Sequence, residues 1–167
     1  KGFDILIEAI RILKFDFGYN YKLVIAGEGP LRNKLQNMIL KYNLNNDIKL
    51  LGSVYNIEEF LFQLDYYVQP SISEAFGISV IEAMACKIPI VCTNVGGLAE
   101  LVNDGENGVL VKKINANALA NGIIKLVHTK QDRITNMVEK SFKISNQYSS
   151  YITAQKDYEI YTKLINK

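Results

Sequence analysis

Phe3, Leu6, Ile7, Ile10 and Leu13 recur with a period close to 3.6 residues. That spacing predicts an amphipathic helix at the start of the chain, with one face buried. The apolar run over 22–26 reads as a strand and is ended by Gly27-Glu28-Gly29-Pro30. Proline suits the first turn of a following helix, whose apolar face is Leu31, Leu35, Met38, Ile39 and Tyr42. A strand over 48–51 closes at Gly52, and a short helix over 57–63 leads to a strand over 65–71. Phe76-Gly77 then turns into an apolar helix, and 89–93 reads as a buried strand. Gly96-Gly97 opens a short helical turn through Leu101, and 107–111 reads as the last strand. Helices are predicted over 116–127, 133–147 and 151–165. Strands that alternate with helices predict a parallel sheet in a doubly wound α/β fold. Neither an internal repeat nor a linker breaks the pattern, so 1–167 is expected to be one domain.

A doubly wound domain normally begins with a strand, whereas this chain begins in a helix. The sheet is therefore expected to lack its first strand, and the chain to be part of something longer. In the order 3-2-1-4-5-6 the first strand is central. Its place would lie between the strands at 22–26 and 65–71. The closing helix, 151–167, carries Tyr151, Tyr158, Tyr161 and Leu164. It is expected to pack on the domain or to bridge to a neighbouring one.

Composition narrows the functional classes. Hydrophobic residues make up 49% of the 167 positions and charged residues 22%, ordinary for a soluble globular chain. A net charge of +2 gives no reason to expect nucleic acid as a partner. Neither a membrane-spanning run nor a signal peptide is visible. Cys86 and Cys92 stand in apolar surroundings at a spacing unlike a metal motif, which suggests buried free thiols and a cytoplasmic setting. His128, the single histidine, falls near a helix end, where a surface role is expected. One such histidine builds no Ser-His-Asp set.

The most informative stretch is SEAFGISVIEAMA, bracketed by Glu74 and Glu82. Free backbone N–H groups at a helix start attract phosphate, assisted by the helix dipole. If most of the span is helical, the two carboxylates lie roughly 12 Å apart at about 1.5 Å rise per residue. That is too far for a shared metal or an acid/base dyad. It suits the two ends of one long ligand with a diphosphate between them. The plain alternative is an ordinary strand-loop-helix with one exposed and one half-buried glutamate, common in α/β proteins.

An ordered set of motifs resembles the donor-binding half of retaining GT-B glycosyltransferases, the glycosyl-transferase group 1 family. The set runs from Lys1-Gly2-Phe3-Asp4 through Gly27-Glu28-Gly29-Pro30, Leu51-Gly52-Ser53-Val54 and Pro70-Ser71 to the Glu74–Glu82 run. Pro89-Ile90-Val91, Gly96-Gly97 with Glu100, and Asp104-Gly105 with Gly108 complete it. The resemblance implies a Rossmann-like domain, the C-terminal half of a GT-B fold. It implies that Glu74 holds hydroxyls of the donor sugar and acts in catalysis with Lys1, which pairs with the departing diphosphate. Phe76, Gly77, Ile78 and Ser79 would offer backbone N–H groups to sugar and diphosphate, and Glu82 would hold the ribose hydroxyls. Gly27 and Gly29 would let the backbone approach the nucleoside, with Leu31 nearby, and Val54 would meet the base through its main chain.

The same resemblance implies transfer of a sugar from a nucleoside-diphosphate sugar to an acceptor hydroxyl, with retention and without a metal or other cofactor. Bacterial polysaccharide, lipopolysaccharide or glycolipid synthesis is the implied setting. An acceptor-binding N-terminal domain and a further basic residue would precede Lys1. Peripheral membrane association, at the inner face, would come through that domain. Asn56 near the expected base site, rather than an acidic group, favours a UDP-sugar. Lys87 stands where many relatives have glycine. The alternatives are a sugar-nucleotide epimerase or hydrolase on a similar scaffold, for which no extra acid/base set is visible, or a non-catalytic nucleotide-binding subunit. A dinucleotide-binding Rossmann domain lacks its Gly-x-Gly-x-x-Gly loop here.

Overall fold

In the computed structural model, which describes residues 1–165, the apolar stripe of the first segment becomes α1 (Phe3–Phe15). Its Leu6, Ile7, Ile10 and Leu13 are buried, as the period requires. β1 (Leu23–Ala26), α2 (Arg32–Lys41), β2 (Ile48–Gly52) and α3 (Ile57–Leu61) follow. Then come β3 (Tyr67–Gln69), α4 (Ile78–Ala85), β4 (Ile90–Thr93), α5 (Leu98–Leu101) and β5 (Val109–Val111). The chain continues in α6 (Ala116–Val127), α7 (Gln131–Asn146) and α8 (Ser150–Ile165).

All ladders are parallel: β1 pairs with β2, and β4 lies between β3 and β5. Helices cover both faces, which makes the fold doubly wound. Leu6 and Leu13 of α1, Ile39 of α2 and Leu119 of α6 form one apolar layer with Val91. Leu61 of α3, Val80 and Met84 of α4 and Leu98 of α5 form the other with Ile90 and Cys92. Successive residues of β4 thus face opposite layers, the period of two that a pleated strand imposes.

The five strands form two groups, with order β1-β2 and β3-β4-β5. Between β1 and β3 lies a slot of about 210 Å³, lined by both strand edges and by Phe3, Leu6 and Leu61 from the helical layers. Among the described residues no strand lies between β1 and β3.

Several boundaries differ from the sequence reading. β3 is shorter than 65–71 because Pro70 has no N–H to give the ladder. Pro30 lies in the turn before α2, since the helix starts only at Arg32 with Leu31 as its N-cap. β5 starts two residues late because Asn107 closes a loop: its amide donates to the Leu101 carbonyl and its side-chain oxygen accepts from Asn103 N–H. α8 has no buried residue, and Tyr151, Tyr158, Tyr161 and Leu164 are exposed. The last two positions of the expected 151–167 helix lie outside the described residues. Among the described residues no helix is long and apolar enough to cross a membrane.

Candidate functional site

The loop from Pro70 to Gly77 carries Glu74 to the C-terminal edge of the sheet. Glu74 is not helical. α4 begins four residues later, and Glu82 alone sits on it. Helical rise therefore applies only to the part of the span from Ile78 to Glu82. A single oxygen of Glu74, Oε2, takes three contacts: Lys1 Nζ at 2.8 Å, Ser71 Oγ at 3.2 Å and Gln69 Nε2 at 3.5 Å. The Lys1 hydrogen bond is the leading reason that the Glu74 carboxyl titrates below its ordinary value. Burial opposes it, but the side chain retains 14% exposure.

Two glycines from distant segments make this geometry possible. Gly2 has φ 72°, and a Cβ there would run into the Pro70 carbonyl. The close approach places Lys1 beside Glu74. On the opposite side Gly96 has φ 47°, and a Cβ there would strike the Glu74 carbonyl. Gly97 N–H donates to that same carbonyl at 3.2 Å. The β4–α5 loop thus braces the main chain of Glu74, which is why glycine is required at 96. Gly77 is the N-cap of α4, and neither a side-chain cap nor an acidic residue occupies that first turn. Its positive end is therefore available to an anion. Ile78 is largely exposed, and Phe76 stacks edge-on against Tyr148 with ring centres 5.4 Å apart.

Beside this loop lies a cavity of about 260 Å³, lined among others by Lys1, Gly27, Gly29, Leu31 and Leu50. A Cβ on Gly29 would meet no protein atom within 4 Å, and its φ is not positive. Neither packing nor backbone strain accounts for glycine there. Ser79 and Glu82 line the slot between β1 and β3. Val54 is half-buried on the loop after β2 and lines neither space. The structure thus brings Lys1 to Glu74, groups Lys1 with Gly27, Gly29 and Leu31, and sets Val54 apart. Among the described residues no three His, Cys, Asp or Glu side chains cluster as metal ligands.

Sequence reasoning passed over the polar network under Glu74. The Tyr67 hydroxyl donates to Gln69 Oε1 at 2.6 Å, and Gln69 Nε2 donates to Ser71 Oγ at 2.8 Å. Burial pushes the Tyr67 phenol up to about 12, so it remains a donor. The available signal was glutamine and tyrosine on one face of a buried strand, a placement that demands partners. Cys92 is buried and Cys86 half-buried, both free thiols. His128 ends α6 and meets the Tyr19 hydroxyl, in line with a surface role.

The family described as Glycosyl transferases group 1 matches residues 1–143. An uncharacterised glycosyltransferase of Methanocaldococcus jannaschii is 40% identical over 151 residues, covering 89% of this chain and 41% of the relative. The capsular polysaccharide biosynthesis glycosyltransferase CapM of Staphylococcus aureus is 31% identical over 153 residues, covering 91% of this chain and 40% of the relative. HepE of Anabaena, solved in complex with UDP-glucose, superposes with a TM-score of 0.85 at 26% identity, covering 98% of this chain and 45% of that one. The chain spans about two fifths of the length of the curated relatives it matches.

Proposed function

The chain belongs to the group 1 glycosyl transferases, and from that premise we propose that it is the nucleotide-sugar-binding half of a metal-independent retaining enzyme. That enzyme moves a sugar from a nucleoside diphosphate to an acceptor hydroxyl, in the synthesis of a cell-envelope polysaccharide or glycolipid. The observation that carries the reading is a convergence. Lys1, the Glu74 carboxylate and the uncapped start of α4 meet at the C-terminal edge of a parallel sheet, beside a cavity rimmed by Gly27, Gly29 and Leu31. In open α/β sheets this edge, at the switch between strand groups, is where ligands bind. The UDP-glucose complex of HepE and the polysaccharide role in the name of CapM support the donor class and the setting.

In this reading Glu74 receives sugar hydroxyls and Glu82 the ribose hydroxyls. The N–H groups of Gly77, Ile78 and Ser79 and the Lys1 ammonium meet the diphosphate. Charge builds on that diphosphate as the glycosidic bond breaks, and fixed donors at that point lower the barrier. The Lys1 side chain is 57% exposed, and in this reading it passes from Glu74 to the departing oxygens. The leaving phosphate takes the acceptor proton, so neither glutamate need serve as general base. A further strand occupies the slot between β1 and β3. The acceptor is held by another domain of the longer polypeptide, to which the tyrosine-rich α8 bridges. The enzyme works in the cytoplasm, at the inner face of the membrane.

Titration calorimetry on the full polypeptide tests the roles. Glu82→Ala should weaken UDP and UDP-glucose alike by about 1–3 kcal/mol, because ribose hydroxyls lose their acceptor. Glu74→Ala should spare UDP and weaken UDP-glucose. Equal losses for both ligands in both variants would sink the assignment.

A further inference from the structure

Every side-chain hydrogen bond to Glu74 among the described residues arrives at Oε2, from Lys1, Ser71 and Gln69. None arrives at Oε1. The arrangement has a single organiser. Gln69, buried at the end of β3, accepts from Tyr67 at 2.6 Å and from Ser79 Oγ at 3.5 Å through its oxygen. Through its nitrogen it donates to Ser71 at 2.8 Å and to Glu74 at 3.5 Å. The direction of this chain is fixed at both ends. Tyr67 keeps its proton and donates it to Gln69 Oε1 at 2.6 Å, and the Glu74 carboxylate can only accept. Ser71 therefore receives from Gln69 and passes its own proton donation on to Oε2. Thr93 locks the same turn by donating to the Ser71 carbonyl at 2.5 Å. Gln69 thus ties the strand end, the Glu74 loop and the first turn of α4 into one unit.

We propose that Gln69 is a positioning residue for donor-sugar recognition: through Ser71 it holds one oxygen of Glu74 inward and presents the other as the acceptor for a sugar hydroxyl. The proposal rests on the donor-binding reading above. It assigns a role that Gln69 exerts through Ser71 and Glu74. A glutamine is suited to this place because it is an acceptor at one end and a donor at the other, with no charge of its own. A carboxylate of the same shape would keep the Tyr67 contact but face Oε2 with a like charge. One of the two would then have to take a proton. The Ser71 hydroxyl would also turn away from Glu74.

The experiment measures the affinities of UDP and UDP-glucose for the full polypeptide, for Gln69→Glu and for Glu74→Ala, with a thermal melt of each. In Gln69→Glu the UDP affinity should stay within about twofold, while UDP-glucose weakens about tenfold, the equivalent of one charge-assisted hydrogen bond. Disruption that is only structural would weaken both ligands together, and that result overturns the proposal. So does an unchanged UDP-glucose affinity in Gln69→Glu while Glu74→Ala loses it, which leaves the donor-binding reading standing. An unchanged UDP-glucose affinity in Glu74→Ala overturns both. Where Gln69→Glu fails to fold, Ser71→Ala removes one oxygen from the same chain and is read by the same split.

Discussion

The two strand groups of the sheet are held together differently. In the three-stranded group, all four residues of β4 are buried. Its loops are cross-tied by Thr93 to Ser71 and by the Ser141 hydroxyl to the Asn107 carbonyl. In the two-stranded group β1 buries only Ile25 and β2 only its end residues Ile48 and Gly52, and the outer end is closed by charge. There Lys14 and Lys22 converge on the buried carboxylate of Asp47. A strand flanked on both edges and covered on both faces gains most of its stability from apolar burial. A strand paired on one edge beside a slot does not. The candidate site divides along the same line. Glu74 and the start of α4 come from the better packed group, and the cavity with Gly27 and Gly29 from the other. Lys1 touches both.

The largest test of this contrast concerns the slot. The unpaired inner edges of β1 and β3 expose backbone donors and acceptors that a folded sheet should satisfy. A polypeptide extended upstream by about 10–15 residues, enough for a strand and a loop, should melt cooperatively and bind UDP. Residues 1–167 alone should aggregate or melt without cooperativity. Thermal melts and UDP titrations of the two proteins decide this. Equal behaviour would show that the slot takes no strand.

A smaller effect compares the groups directly in the extended protein. Ile90→Ala should cost about 2–5 kcal/mol, since it empties a fully buried site. If the slot stays empty, Val24→Ala should cost about 1 kcal/mol, because Val24 is only half-buried. A larger loss at Val24, approaching that at Ile90, means that a strand has covered β1. Urea unfolding at a common temperature gives both numbers.

The smallest effect concerns the charged rim. Lys14 and then Lys22, hydrogen-bonded to Asp47, hold its carboxyl below the ordinary value. A depressed folded value means stability that is fully present above the unfolded value of about 3.9 and lost as pH falls through the folded one. Asp47→Asn should therefore cost about 1–3 kcal/mol near neutral pH. The difference from wild type should shrink below about pH 4. Melts across pH 3–7 check it, and a gap that stays constant would assign the effect to packing instead of charge.

Much of this was legible along the chain. The 3.6-residue stripe of α1, the apolar run of β4 and the bounds of α6 follow from local pattern, because burial selects side chains at the period of the element that carries them. The parallel doubly wound layout followed from alternation. The candidate site was legible where it is local, in the Glu74–Glu82 run and the glycines after β1. Strand ends were harder to read, because Pro70 and Asn107 set them through a missing N–H and a side-chain loop closure. The turn through Phe76-Gly77 was legible, but the path of the loop that carries Glu74 was not, because Gly96 and Gly97 from another part of the chain shape it.

By itself, then, the sequence determined which segments are strands and helices, which faces are apolar, and which residue types the site contains. Only the tertiary structure decided that Lys1 meets Glu74 across 73 positions, that Gly2 and Gly96 grip the loop from two sides, and that Gln69, Ser71 and Tyr67 hold one carboxylate oxygen. Periodicity records how each residue faces its own element. Contacts between elements depend on how the layers stack, and no local pattern carries that distance.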